Sequence, residues 1–81
     1  MTEKNGWEYS HYAGRHKLTH VFPLDGSLST WTIFPTGGVW TLDHYVDYKR
    51  TGKRAHLTSI SISNVYANEL IDRWSRLEEW A

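Results

Sequence analysis

The feature that most constrains this chain is the stretch from Ser63 to Trp80, where apolar residues recur with the period of a helix. At about 100° per residue these residues fall on one arc, and most of the charged side chains fall on the other side. The residues of the apolar arc are Tyr66, Ala67, Leu70, Ile71, Trp74, Leu77 and Ala81, with Trp80 at its edge. An amphipathic helix of this kind buries its apolar stripe against another layer of the protein. We therefore predict a helix over residues 63–80, with the Ser63 hydroxyl as its N-cap.

The chain before the helix consists of short runs of alternating polar and apolar residues, which is the pattern of half-buried strands. Turn signals rich in Gly and Pro separate several of these runs, for example Pro23–Gly26 and Pro35–Gly38. The predicted strands are Trp7–Tyr12, Arg15–Phe22, Leu28–Phe34, Val39–Lys49 and Ala55–Ile62. Short connections favour pairing in chain order.

The predicted fold class is therefore α+β: an antiparallel four- to five-stranded β-meander with one C-terminal amphipathic helix packed on one face. The 81 residues are predicted to form a single domain. Residues 1–6 are expected to be a disordered tail, residues 7–62 the sheet and residues 63–80 the helix.

Composition excludes several classes of protein. The chain has no cysteine, so it contains neither disulfides nor thiolate metal ligands. Nine basic and nine acidic residues balance to a net charge of zero, whereas dedicated nucleic-acid binders usually carry a basic excess. No apolar run approaches the length of a membrane span, and residues 1–6 do not resemble a signal peptide. These features predict a cytoplasmic protein.

The histidines do not predict a metal site, and no residue pattern predicts catalysis. His16 and His20 would lie about 13 Å apart on a strand, which is too far to share one ion. His44 and His56 fall on neighbouring strands and could approach each other. A metal-free ribonuclease would need a cluster such as Tyr45, Lys49, Arg54 and His56, but such enzymes are usually basic. We predict no enzymatic activity, no catalytic residues, no metal and no cofactor.

The aromatic content points instead to binding. Five Trp and five Tyr are more rings than one helix can cover, so the sheet face away from the helix either meets a partner or curls to bury its own rings. We predict partner contacts at Tyr45, Val39 and Trp80. The leading hypothesis is a small non-enzymatic protein that occupies a surface on another protein or on a second copy of itself. Accessory proteins of phages and mobile elements that inhibit host machinery are often of this kind.

The alternative hypothesis is a nucleic-acid-binding domain that uses a basic hairpin turn together with the sheet face. The hairpin turn over residues 49–54 carries the only concentrated positive charge, and such a turn can straddle phosphates. Its cations are Lys49, Arg50, Lys53 and Arg54.

Overall fold

A computed structural model describes residues 2–80 and shows a single antiparallel sheet followed by a helix. The strands are β1 (Thr2–Lys4), β2 (Trp7–Tyr12), β3 (Arg15–Val21), β4 (Leu28–Thr36), β5 (Val39–Asp47) and β6 (Arg54–Ile62). They pair in chain order from β1 to β6, as the short connections predict. The helix α1 (Asn64–Ser75) is followed by a short 3-10 helix, Leu77–Glu79. The α+β meander with a C-terminal helix is thus confirmed.

The prediction of four to five strands is wrong, because the sheet has six strands within residues 2–80. The extra strand is β1, which lies within the predicted tail of residues 1–6 and pairs with β2 through the register Lys4↔Trp7. Asn5 and Gly6 form the turn between them, with φ of 50° and 85°. Asn-Gly is the pair most suited to a two-residue hairpin, since both central positions of that turn need positive φ.

The helix begins where the sequence predicts and ends earlier. The Ser63 hydroxyl accepts a hydrogen bond from the Tyr66 backbone N–H at 3.1 Å, which confirms the N-cap. The α-helix ends at Ser75 rather than at residue 80, and the chain continues as the 3-10 helix. The predicted apolar arc is confirmed for five residues: Ala67, Trp74 and Leu77 are buried, and Leu70 and Ile71 are half-buried. Tyr66 is largely exposed, and Ala81 lies outside the described residues.

The helix packs on one face of the sheet, which we call the helix side; the opposite face is the open side. The start of α1 lies over β5, where the Trp40 indole N–H donates to the Asn64 side chain. The 3-10 helix that follows α1 contacts β1 and β2 at the other side of the sheet. The core beneath it consists of Tyr9, Leu18, Ile33, Ile62, Ala67, Trp74 and Leu77. Side chains alternate between the two faces along each strand, so this core fixes which residues lie on the open side.

A β-bulge interrupts the pairing of β5 with β6. Up to His44↔Thr58 the register is regular, but the next pair is Tyr45↔His56, which leaves Leu57 as one extra residue on β6. The bulge reverses the alternation of β6 on its far side. It therefore places His56 on the open side, opposite Tyr45.

Candidate functional site

A row of stacked aromatic rings crosses the helix side beside the helix. The Trp31 indole lies 4.3 Å from the His44 ring at an interplanar angle of 6°. Trp7 stacks on Trp31 with centroids 5.7 Å apart, and on His20 with centroids 4.3 Å apart. The four residues come from β2, β3, β4 and β5, because the register places Trp7 opposite His20 and Trp31 opposite His44. All four remain half-buried, so the helix covers them only in part.

Trp80 closes one end of this row. Its ring meets Trp7 edge to face with centroids 5.5 Å apart. Its indole N–H donates to the Arg73 carbonyl at 3.0 Å, and its backbone carbonyl accepts from the Lys4 ammonium group. Lys4 also donates to the Glu78 carbonyl at 3.3 Å. Strand β1 therefore anchors the end of the 3-10 helix and holds the Trp80 ring in place.

An apolar groove runs between the helix and the aromatic row, and we call it the helix-side groove. One wall is a single flank of the helix, formed by Tyr66, Leu70 and Trp74 at the i, i+4 and i+8 positions. The other wall and the closed end come from Trp7, Leu18, Trp31, Leu42 and Trp80. The groove has a volume of about 280 Å³, and none of the described residues that line it is charged. It can therefore accept apolar groups but offers no ionic partner to a charged ligand.

Two histidines on the helix side are held by neutral hydroxyl groups. His44 Nε2 lies 2.8 Å from the Ser29 hydroxyl, and His16 Nδ1 lies 2.7 Å from the Tyr9 hydroxyl. Burial lowers the pKa of His44. Burial also lowers the pKa of His16, and the nearby His11 charge lowers it further. Both rings therefore favour the neutral form in the folded protein.

We expect the free energy of unfolding to fall as the pH drops below about 6.5, the pKa of an unfolded histidine. Both pKa values are lowered by folding, so their contribution is complete above that pH and is lost as the pH falls through the folded values. Urea unfolding between about pH 8 and pH 5, above the main range of carboxylate titration, measures the slope. The His44→Gln variant keeps a group able to bond Ser29 and should show a smaller slope. An unchanged slope in this variant would mean that His44 does not contribute to the pH dependence of stability.

The sequence-predicted partner residues lie on different faces of the molecule. Tyr45 is on the open side, where the Arg54 guanidinium lies 4.2 Å over its ring and the His56 ring meets it edge to face at 5.8 Å. Val39 is exposed on the same side, at the far end of β5. Trp80 is on the helix side. The structure therefore brings none of the three together in one patch.

Two of the four cations at the basic turn lie near carboxylates of the protein. Arg54 forms an ion pair with Asp47, with Nε 2.7 Å from Oδ1. Hydrogen bonds from Ser27 hold the pKa of the Asp25 carboxyl below its ordinary value, and the positive charge of Arg50 lowers it further. Lys49 donates its backbone N–H to the Ser27 hydroxyl at 3.2 Å. The fourth cation of this turn is Lys53.

The histidine pairs considered from the sequence do not converge. His16 and His20 both lie on β3, where His16 contacts Tyr9 and His20 stacks on Trp7. The expectation that His44 and His56 could approach each other is wrong, because the bulge places them on opposite faces of the sheet. Within residues 2–80 no group of three or more metal-ligating side chains comes together. Of the ribonuclease-like set, Tyr45, Arg54 and His56 meet, whereas Lys49 lies beside Gly26.

No family model, curated protein or solved structure gives a significant match to this chain. Within residues 2–80 no helix is long and apolar enough to cross a membrane.

Proposed function

We propose that this is a small non-enzymatic binding protein that takes apolar side chains of a partner protein into the helix-side groove. The observation that carries the proposal is the groove itself, a cleft of about 280 Å³ whose described lining residues are uncharged and include four tryptophans, three of them half-buried. Protein interfaces are enriched in Trp and Tyr at their centres, and the residues that dominate affinity lie in such clefts.

The groove is held open by contacts within the protein. Trp80 is fixed by the Arg73 carbonyl and by the Trp7 ring, and Trp31 by stacking on Trp7 and His44. Rigid rings lose little conformational entropy when a partner binds. A preformed apolar cleft therefore favours binding of side chains that are already exposed on another protein.

The size and chemistry of the groove favour a protein partner over a free small molecule. Its volume of about 280 Å³ lies just below the range of about 300–1,000 Å³ that is typical of small-molecule sites. Such sites also contain convergent polar groups that orient the ligand. Here the Trp80 N–H is already bonded to the Arg73 carbonyl, the other polar groups of the lining are indole N–H groups and the Tyr66 hydroxyl, and none of the described lining residues is charged.

The nucleic-acid alternative has less support. It relies on Lys49, Arg50, Lys53 and Arg54, and one of these cations, Arg54, already forms an ion pair with Asp47 inside the protein. The net charge of zero adds no long-range attraction for phosphates. The helix-side groove has no cation among its described lining residues to place beside a phosphate backbone.

The proposal is tested by selecting binders from a random peptide library displayed on phage. Peptides are selected on the wild-type protein alone, and their affinities are then measured on the Leu70→Glu variant, because Leu70 lines the groove and is half-buried. We expect enriched peptides to carry clustered apolar or aromatic residues. Leu70→Glu should weaken their binding by about 30-fold or more, which corresponds to the loss of a hot-spot contact.

The matched control is Val65→Glu, which adds the same charge on the same helix at an exposed position outside the groove. Its affinity for the selected peptides should stay within about threefold of wild type. Peptide-induced shifts of the indole resonances of Trp7, Trp31 and Trp80 would place the peptide in the groove. Peptides that bind Leu70→Glu and wild type equally, or a failure to enrich any sequence, would contradict the proposal.

A further inference from the structure

The two edges of the sheet are built differently. One edge is β1, which has three residues and is tied to the end of the 3-10 helix through Lys4. The other edge is β6, which has nine residues, Arg54–Ile62, and no described strand pairs with its outer side. An edge strand of this length presents a row of backbone N–H and C=O groups that can pair with another strand.

The devices that usually protect an edge strand are mostly missing from β6. Natural edge strands carry lysine, proline or inward-pointing charges that prevent pairing with another chain. The segment Arg54–Ile62 has no lysine and no proline, and its one charged residue, Arg54, is paired with Asp47. The bulge at Leu57 interrupts the strand, but Thr58–Ile62 continues beyond it in regular register.

Two large apolar side chains are exposed along this edge. Leu57, at the bulge, is 55% exposed, and Ile60, at the centre of the regular segment, is 50% exposed. Ile60 lies on the helix side, since it is opposite Leu42, a residue that lines the helix-side groove. A partner strand on this edge would cover Ile60 and satisfy the outer backbone groups together.

We propose that β6 pairs antiparallel with β6 of a second copy of this chain, in a register centred on Ile60. In that register the two Ile60 side chains face each other across a two-fold axis. Thr58 lies opposite Ile62 of the other copy, and Ser59 lies opposite Ser61 on the open side. No like charges face each other, and paired serine hydroxyls can form hydrogen bonds between strands. A segment that is self-complementary in this way fits the isologous interface of a two-fold dimer.

The pairing joins two six-stranded sheets into one continuous sheet. The two-fold axis is perpendicular to that sheet, so both helices and both helix-side grooves lie on the same face. A partner with two apolar segments could then engage both grooves at once and gain effective concentration. The dimer does not depend on the function proposed for the groove, and its failure would leave that function untouched.

The first test is the mass of the purified protein in solution across a concentration series. Wild type should approach twice the monomer mass of 9.5 kDa. The Ile60→Lys and Ile60→Glu variants each place like charges opposite each other, so each should raise the apparent dissociation constant by about tenfold or more. A mixture of the two variants should recover dimers that contain one copy of each, as seen by native mass spectrometry. Tyr12→Lys is the matched control, because Tyr12 is 85% exposed on β2, away from β6.

A second test does not depend on how well a charge is tolerated. The chain has no cysteine, so an Ile60→Cys variant can form a disulfide only with another copy. Residues directly opposite each other on antiparallel strands have Cβ atoms about 4.5–5.5 Å apart, close enough for small adjustments to allow that bond. Mild oxidation should give a covalent dimer from Ile60→Cys and none from Tyr12→Cys. A monomeric wild type at all concentrations, or equal crosslinking of the two cysteine variants, would overturn the proposal.

Discussion

Replacing Trp74 with alanine is expected to lower the free energy of unfolding by about 3–5 kcal/mol. Trp74 is 5% exposed and belongs to the core that joins the helix to the sheet. Its removal leaves a cavity between these two layers, and surrounding side chains refill such a cavity only in part. A small domain holds about 5–15 kcal/mol in total, so this loss is a large fraction of its stability.

Urea unfolding followed by far-ultraviolet circular dichroism measures the effect. The control is Val65→Ala on the same helix, where the side chain is 69% exposed and the change should stay within about 0.5 kcal/mol. A loss below about 1 kcal/mol for Trp74→Ala would mean that the helix does not need this contact with the sheet. Because Trp74 also lines the groove, peptide binding should be measured on other variants.

The order and type of the elements could be predicted from the sequence because each depends on local pattern. The helix predicted from Ser63 and the five predicted strands are all present in the structure, although the α-helix ends at Ser75 and a bulge interrupts the alternation of β6. The missed strand β1 also had a local signal. Asn5–Gly6 is a strong hairpin turn, and it stands directly before an alternating run. The polar character of residues 1–6 outweighed that signal, although an edge strand needs few apolar residues.

The positions that depend on pairing register were harder to predict. A bulge adds one residue to one strand, and nothing in the segment Arg54–Ile62 marks Leu57 as that residue. That single residue moves His56 to the open side and separates it from His44. It also brings His56 and Arg54 beside Tyr45, which the sequence alone could suggest only as a set of residue types.

The candidate site also depends on strand register, which the sequence does not reveal. Trp7 and Trp31 lie on strands that do not pair with each other, and the stack between them depends on the registers of β2 with β3 and of β3 with β4. Trp80 could be placed at the edge of the helical arc, but its contact with Trp7 requires β1 and the 3-10 helix. The excess of aromatic rings is visible in the sequence. Of the three predicted partner residues, Tyr45 and Val39 lie on the open side and Trp80 lines the helix-side groove, and all three remain predictions.

Replacing Trp80 with alanine is expected to weaken binding of the groove-selected peptides by about 30-fold or more, a free-energy loss of about 2 kcal/mol. The Trp80 ring closes one end of the helix-side groove, so its removal opens that end to solvent and leaves the bound apolar side chain partly hydrated. Tyr45→Ala should leave binding within about threefold of wild type, because Tyr45 is on the other face and is already covered by Arg54 and His56. Trp31→Ala serves as a second groove variant, in which the loss should appear without any change at the 3-10 helix.

The same variants distinguish this function from nucleic-acid binding. Replacing Arg50, Lys53 and Arg54 together by alanine should leave peptide affinity nearly unchanged, because exposed charges at a turn contribute little to binding an apolar group. If the protein instead binds nucleic acid through that turn, the triple variant should lose the complex and flatten its salt dependence. Each lost phosphate contact lowers the slope of log affinity against log salt by about 0.9 on duplex DNA. Titration of single-stranded and duplex oligonucleotides at several salt concentrations measures that slope. If oligonucleotides bind in a salt-dependent way, and if the triple variant abolishes that binding while Trp80→Ala keeps it, the basic turn and not the groove is the functional site.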